Sequence, residues 1–346
     1  MTKAFLLRLL CLCLLVFQNS CEEGSSSEGP ASSPREATLL FRSGFESGVI
    51  LDPPHLEGSE WSQFMHGGDA GFAWENILSR GTPKNRFTYL VSSSKHLSEF
   101  ANTRIETVMG RDGQPTQALM GQLIKQDPTL LADNTRNQYG FYPKATDTQA
   151  YMRYWIKLQP DLGTAVLPAG QTGSRQLMEW KEQGPPGQRS DFRWNINVKR
   201  SPGTPLYWWV NAQFGDLQDS PKAWECTSTV PVPLNEWFLL EVFWKLDTVN
   251  GRVWGAVNGQ TFADFRGQTQ KDDGLFVWWP FKVYVGGQLE AISNNPGYTS
   301  IYQWVDDVEV YDDIPSDASV PQTGTFTVTT LLASKGSVPR PVHERF

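Results

Sequence analysis

Residues 192–200 read Phe-Arg-Trp-Asn-Ile-Asn-Val-Lys-Arg, so that Phe192, Trp194, Ile196 and Val198 alternate with Arg193, Asn195, Asn197 and Lys199. A period of two places the first set on one face of an extended chain and the second on the other. The pattern recurs. Trp208, Val210, Ala212 and Phe214 alternate with Tyr207, Trp209, Asn211 and Gln213. Met178 and Trp180 stand opposite Glu179 and Lys181, and Phe281, Val283 and Val285 stand opposite Lys282 and Tyr284. In residues 151–158 the polar face carries Tyr151, Arg153, Trp155 and Lys157, and in residues 237–245 it carries Trp237, Glu241, Phe243 and Lys245. A face turned only to water favours small hydroxyls and charges. These faces mix indoles and phenols with amides and cations. An aromatic ring offers a flat apolar platform and the polar groups offer hydrogen bonds, which together suit a sugar chain. The competing reading is that the rings pack under loops or against a second sheet. Arg153, Lys157, Lys181, Arg193, Lys199, Lys245 and Lys282 make the expected groove locally basic, which points to an anionic polysaccharide as partner.

Elements of one kind must position these residues. From Ala37 to Asp313 the chain is a succession of short runs rich in β-branched and aromatic residues, broken by Gly, Pro, Asn and Asp, which predicts an all-β fold. Its length predicts one jelly-roll sandwich of two antiparallel sheets over residues 37–315. Residues 38–48 read as a first strand and residues 302–313 as a last one, ended by Ile314-Pro315. Asn258-Gly259 predicts a tight hairpin, since both residues tolerate positive φ. A short helix is expected over residues 129–137. The tail from Ser316 to Phe346 turns to Ser, Thr, Pro and Gly; a strand is expected at 326–332 and disorder from 339.

The chain of 346 residues is 39% hydrophobic and 19% charged, ordinary for a folded protein. A net charge of −7 and the absence of a long basic run argue against a nucleic-acid partner. Lys3 and Arg8 precede a short apolar run, Leu9–Phe17, and Ser20-Cys21 follows. This reads as an export signal over residues 1–20 with Cys21 as a lipid-acceptor site, although Gln18 stands where such sites carry Leu or Val. Residues 21–36, rich in Ser, Gly and Glu, read as a flexible tether. The expectation is a lipid-anchored monomer at the cell envelope of a bacterium. Cys11 and Cys13 leave with the signal, so Cys226 remains as a single thiol, expected to be buried and inert, with no internal disulfide.

Several segments carry a family resemblance: Phe41–Gly48 (FRSGFESG), Asn102–Glu106 (NTRIE), Leu177–Glu182 (LMEWKE), Asn235–Lys245 (NEWFLLEVFWK), Gly251–Gly259 (GRVWGAVNG) and Trp304–Asp313 (WVDDVEVYDD). Together they resemble the concanavalin A-like lectin/glucanase superfamily, and within it the polysaccharide lyase-like jelly rolls of the heparin- and alginate-lyase kind. The resemblance implies a carbohydrate face on one sheet and no required cofactor. Hydrolases of the superfamily carry carboxylates at alternate positions of one strand. Here Glu179 and Glu182 are three apart and face opposite sides, while Asp307 and Glu309 share a face of the closing strand. Asp307, with Asp306 beside it, and Glu46 suit loop bonding or a structural Ca²⁺. A lyase needs a cation or amide to neutralise a uronate carboxylate, with a base and an acid for the C5 proton and the leaving oxygen. On the groove face Arg193 is the candidate for the first role, and Tyr284, or His66 in the loop MHGGDAG that could border the groove, is the candidate for proton transfer. Neither aligns with a family signature. Glu179, Lys181, Asn195, Asn197, Lys199, Trp209, Asn211, Gln213 and Lys282 are the expected substrate contacts. The alternatives are a glycan-binding or adhesion module without catalysis, and a structural envelope protein without a ligand.

Overall fold

The runs of alternating apolar and polar residues become strands because only an extended chain puts every second side chain into one core. In this computed structural model residues 36–58, 60–76, 86–89, 101–124, 136–140, 148–165, 173–183, 192–214, 222–271, 275–284 and 300–320 are described. The chain enters through β1 (Leu39–Ser43), β2 (Val49–Leu51), β3 (His55–Glu57), β4 (Glu60–Gly67) and β5 (Arg86–Tyr89). It continues through β6 (Ala101–Met109), β7 (Pro115–Ile124), β8 (Arg136–Gly140) and β9 (Gln149–Leu158). A single helical turn, α1 (Leu162–Ala165), precedes β10 (Gly173–Gln183), β11 (Phe192–Arg200), β12 (Tyr207–Phe214) and β13 (Lys222–Ser228). The last six are β14 (Trp237–Lys245), β15 (Gly251–Val257), β16 (Gln260–Gly267), β17 (Leu275–Trp279), β18 (Lys282–Tyr284) and β19 (Ser300–Tyr311).

Two antiparallel sheets result. The eight-stranded sheet runs β16-β15-β14-β9-β19-β7-β6, with β1 added on β19. The eleven-stranded sheet runs β13-β12-β11-β10-β18-β8-β5-β4-β2, with β17 on β10 and β3 on β4. The chain crosses repeatedly from one sheet to the other: β9 lies in the first, β10 to β13 in the second, β14 to β16 in the first again, and β19 closes it. This is the expected all-β jelly-roll sandwich.

The core lies between the inner faces. Met152, Tyr154, Ile156, Leu158, Phe238, Leu240, Val242 and Trp244 come from one sheet and Met178, Trp180, Trp194, Ile196, Val198, Trp208 and Val210 from the other, each at most 1% exposed. Each such apolar side chain contributes roughly 1.5–3 kcal/mol on burial. Seven of the fourteen tryptophans are essentially fully buried. The Asn258-Gly259 hairpin forms between β15 and β16 with φ of 47° and 78°. Asn258 also docks on β14, its N–H donating to the Leu239 carbonyl and its Oδ1 accepting from the Leu239 N–H, both at 2.9 Å.

Packing continues past Pro315 to Val320, which is 4% exposed and covers Tyr151, Phe243 and Trp254 on the outer side of the eight-stranded sheet. The expected helix over 129–137 is corrected at its end, where Arg136 and Asn137 begin β8; residues 129–135 lie outside the described residues. So do the export signal, Cys21, the tether up to residue 35, the strand expected at 326–332 and the tail beyond it. Cys226 is half-buried, and burial pushes its thiol up to about 12, which keeps it protonated and unreactive. No helix among the described residues is long and apolar enough to cross a membrane.

Candidate functional site

The outer face of the eleven-stranded sheet gathers most of the residues singled out from sequence, and strand register explains how. Asn195 pairs with Glu179 on β10 and with Asn211 on β12; Arg193 pairs with Lys181 and Gln213; Asn197 pairs with Gln176 and Trp209. Partners in register share a face, so the polar halves of three alternating strands form one surface. Beyond β10, Gln176 pairs with Tyr284, and Tyr284 pairs with Arg136 of β8. One row, Trp209–Asn197–Gln176–Tyr284–Arg136, therefore crosses five strands, about 19 Å at the usual strand spacing. The same β10 strand pairs at Glu179 with Trp279 of β17. The register shift at Leu177 and the break between β17 and β18 bring Lys282 onto Glu179.

Glu179 is the centre of this surface. It is 2% exposed and accepts a charge-assisted hydrogen bond from Lys282, which is 1% exposed. Lys181 Nζ lies 3.5 Å and Arg193 Nη1 3.9 Å from its other oxygen. Burial alone would raise the Glu179 carboxyl, but Lys282, Lys181 and Arg193 hold it down to about 2. Burial drives Lys282 down to about 7 against the pull of Glu179, with Arg136 and Lys181 pushing the same way as burial. Three cations thus face one carboxylate, and Arg136 stands close to Lys282 and Tyr284. Lys181 and Lys282 also stand 5.5 and 5.7 Å from the Trp279 ring, and Lys282 stands 5.1 Å from the Tyr284 ring. Tyr284 is raised by burial, with Arg136 opposing, so its phenol is protonated at neutral pH. An amide ladder flanks the cluster. Gln176 bonds Asn195, Arg193 Nε donates to Gln213 Oε1 at 2.6 Å, and Asn197 Nδ2 donates to Asn211 Oδ1 at 3.3 Å. Lys199 lies 4.4 Å over the Trp209 ring.

Sequence reading missed Arg136, Gln138, Gln176 and Trp279 on this face. Arg136 Nε and Gln138 Oε1 are buried without hydrogen-bond partners among the described residues. Their strand reads Arg-Asn-Gln-Tyr-Gly, and its inward Asn137 bonds Thr103 Oγ1 of the opposite sheet at 2.8 Å, so the apolar half of the alternation is weak.

Three expected groove cations are elsewhere. Arg153 and Lys157 on β9 and Lys245 on β14 belong to the eight-stranded sheet, with Trp155 and Trp237, and face away from this surface. The alternation of those strands is as expected, but hydrogen bonding joins β9 to β14 and β19. His66 is also displaced. It lies within strand β4, one residue before its end, rather than in a loop, and its Nε2 lies 2.8 Å from Asp52 Oδ1. Ser62 holds the place in register with Lys282 through Thr88 and Gln138. His66 lies four residues beyond Ser62, about 13 Å along the strand and three strands from β18. Glu46 and Asp307 do flank one point: a Cβ on Gly44 would lie 3.3 Å from Asp307 Oδ1 and 3.6 Å from Glu46 Cγ. Asp307 is paired with Arg111, and Glu46 Oε1 accepts from Thr116 Oγ1 at 2.9 Å. Among the described residues no group of three or more His, Cys, Asp or Glu is placed to hold a metal.

No family model matches this chain, and no curated protein matches it by sequence. Among solved structures it is similar to the laminarinase catalytic domain from Thermotoga maritima, at 15% identity and a TM-score of 0.44, over 81% of this chain and 100% of that one. It is similar also to an endo-β-1,4-glucuronan lyase from the fungus Trichoderma reesei, at 11% identity and 0.42, over 64% and 93%. An alginate lyase from a Chlorella virus gives 10% identity and 0.38, over 61% and 88%. The chemistry of the site is therefore read from its own residues.

Proposed function

We propose that this protein binds an anionic, uronate-containing polysaccharide on the outer face of the eleven-stranded sheet and cleaves it by β-elimination. The observation that carries this reading is the cluster of Lys181, Arg193 and Lys282 around the buried carboxylate of Glu179, with Arg136 near Lys282 and Tyr284 in the adjoining row. A uronate carboxylate brought to the exposed side of the cluster meets excess positive charge, which also stabilises the enolate-like charge that develops when the C5 proton is lost. The C5–H pair becomes the C4–C5 double bond, and the C4–O bond breaks with its electrons on the leaving oxygen, which takes a proton. Tyr284 is proposed to relay the proton: its phenol proton passes to the leaving oxygen and the proton lost from C5 restores the phenol, so that the net transfer is from C5 to the leaving oxygen. Trp209 and Trp279 supply stacking surfaces on either side. His66 is too distant for a role in this step.

The ultraviolet absorbance of an unsaturated uronate product tests the reading, on a panel of uronate polysaccharides. A rise that is lost in Tyr284→Phe and Arg193→Ala supports lyase chemistry. No rise, with retarded migration through a gel containing one of these glycans, leaves a binding module without catalysis. The amide ladder favours that second reading, because its members already bond one another.

Two further expectations are proposed on sequence chemistry. Lipidation of Cys21 is tested by partition into detergent: the full chain enters the detergent phase when expressed in a bacterium and Cys21→Ser does not. Calcium at Glu46 and Asp307 is tested by thermal unfolding with chelator, where a fall in Tm restored by Ca²⁺ supports it and an unchanged Tm removes it.

A further inference from the structure

The outer face of the eight-stranded sheet holds a cavity of about 350 Å³ over Trp155, walled by Arg42, Arg111, Arg153, Asp307 and Glu309. Its charges are matched. Arg42 pairs with Glu309 at 2.5 Å, Arg153 with Glu309 at 2.7 Å and with Asp317 at 2.9 Å, and Arg111 with Asp307. Three guanidinium groups meet three carboxylates, unlike the cation excess around Glu179 on the other sheet. We propose that this cavity is a second binding site, for a neutral oligosaccharide, distinct from the anionic groove and independent of its activity.

Paired guanidinium and carboxylate groups present donors and acceptors side by side without net charge, which suits hydroxyls rather than an anion. The Trp155 indole supplies a flat apolar floor, with the Arg111 guanidinium 4.7 Å from its centroid. The aromatic surface continues beyond the cavity. Lys157, two residues along the same face, pairs in register with Trp237 on β14 and Trp304 on β19, which sets those two rings about 10 Å apart. Trp304 Nε1 donates to Glu106 at 2.7 Å, and Trp237 Nε1 donates to the Met109 carbonyl at 2.8 Å, so both rings are held in place. All three indoles remain partly exposed. Farther along this face Tyr151, Phe243 and Trp254 are roofed by Ala318 and Val320. The chain roofs one half of the aromatic face with apolar side chains, whereas over the other half stand the ends of long cations, Arg111 at Trp155 and Lys157 5.8 Å from the Trp304 ring, and a sugar-stacking strip needs these to swing aside.

Calorimetric titration with cellohexaose and laminarihexaose tests the proposal, with an alginate oligosaccharide as the anionic comparison. Saturable binding of a neutral oligosaccharide is expected, little changed by high salt. Trp155→Ala and Trp304→Ala weaken it at least about tenfold, Trp155→Phe keeps most of it, and Arg193→Ala and Lys181→Ala leave it unchanged. Thermal unfolding establishes that each variant is folded, and Trp304→Ala carries the test if Trp155→Ala is not. Failure of both neutral probes to bind would overturn the proposal. So would full affinity in Trp155→Ala and Trp304→Ala, or equal loss in Arg193→Ala, which would place the sugar on the other sheet.

Discussion

Glu179 and Lys282 show how a buried ion pair ties stability to the candidate site. Each is at most 2% exposed, so neither charge is tolerated alone. Lys282→Met leaves Glu179 buried with more distant cations and is expected to cost about 3–5 kcal/mol in chemical denaturation, whereas the double variant Glu179→Leu/Lys282→Met recovers most of that loss. The pH dependence follows from the two shifts. The folded-state Glu179 sits at about 2 against its ordinary 4.5, so the unfolded chain binds the proton first as pH falls. Its contribution, on the order of 3 kcal/mol, is complete above 4.5 and is lost as pH drops toward 2. Lys282 sits at about 7 against 10.5, so the unfolded chain holds more protons between those values and stability rises with pH across that window. Unfolding midpoints followed over pH should show both slopes. Glu179→Gln should remove the acid one and Lys282→Met the alkaline one.

At the scale of elements, turns and glycines fix which strands can pair. Gly259 has φ of +78°, a conformation that costs an L-residue about 1–2 kcal/mol. Gly259→Ala should lower the denaturant midpoint by that amount with an unchanged m-value. Gly255 faces a tighter limit, since a Cβ there would lie 2.6 Å from Phe262 Cζ. Phe262 stacks on Trp208 at 4.5 Å. Gly255→Val should push that ring off Trp208, at a cost of about 1–3 kcal/mol, detected as a lower Tm and altered near-ultraviolet circular dichroism. The interruption at Pro280-Phe281 between β17 and β18 is equally consequential. One short segment offers Trp279 and then Lys282 to the same carboxylate.

For the whole molecule, the two outer faces carry different electrostatics on one scaffold. Anionic-glycan binding at the Glu179 cluster should weaken steeply with ionic strength, because the cation excess is its driving term. The segment ending at Val320 is part of the globule. Val320→Asp places a charge over Tyr151, Phe243 and Trp254 and should lower stability by about 2–4 kcal/mol, read from thermal unfolding with the groove residues intact.

The alternation in β9, β10, β11, β12 and β14 determined by itself which side chains of each strand face the shared core, because that depends only on a period of two within the strand; it did not determine that the outer-face Tyr151, Glu179, Asn195, Asn197, Asn211, Glu241 and Phe243 are buried as well. It determined the sandwich and the Asn258-Gly259 turn for the same local reason. Which strands share a sheet is a matter of hydrogen bonds between distant segments. Arg153 and Lys157 have the same local pattern as Arg193 and Asn197, and yet pairing to β14 and β19 carries them to the opposite face. Arg136 and Gln138 were hidden because the inward neighbour of their short strand is a hydrogen-bonded Asn137 rather than a hydrocarbon. The convergence of Lys181, Arg193 and Lys282 on Glu179 depends on the Leu177 register shift and on the β17–β18 break, and only the tertiary structure brings those two irregularities to one place.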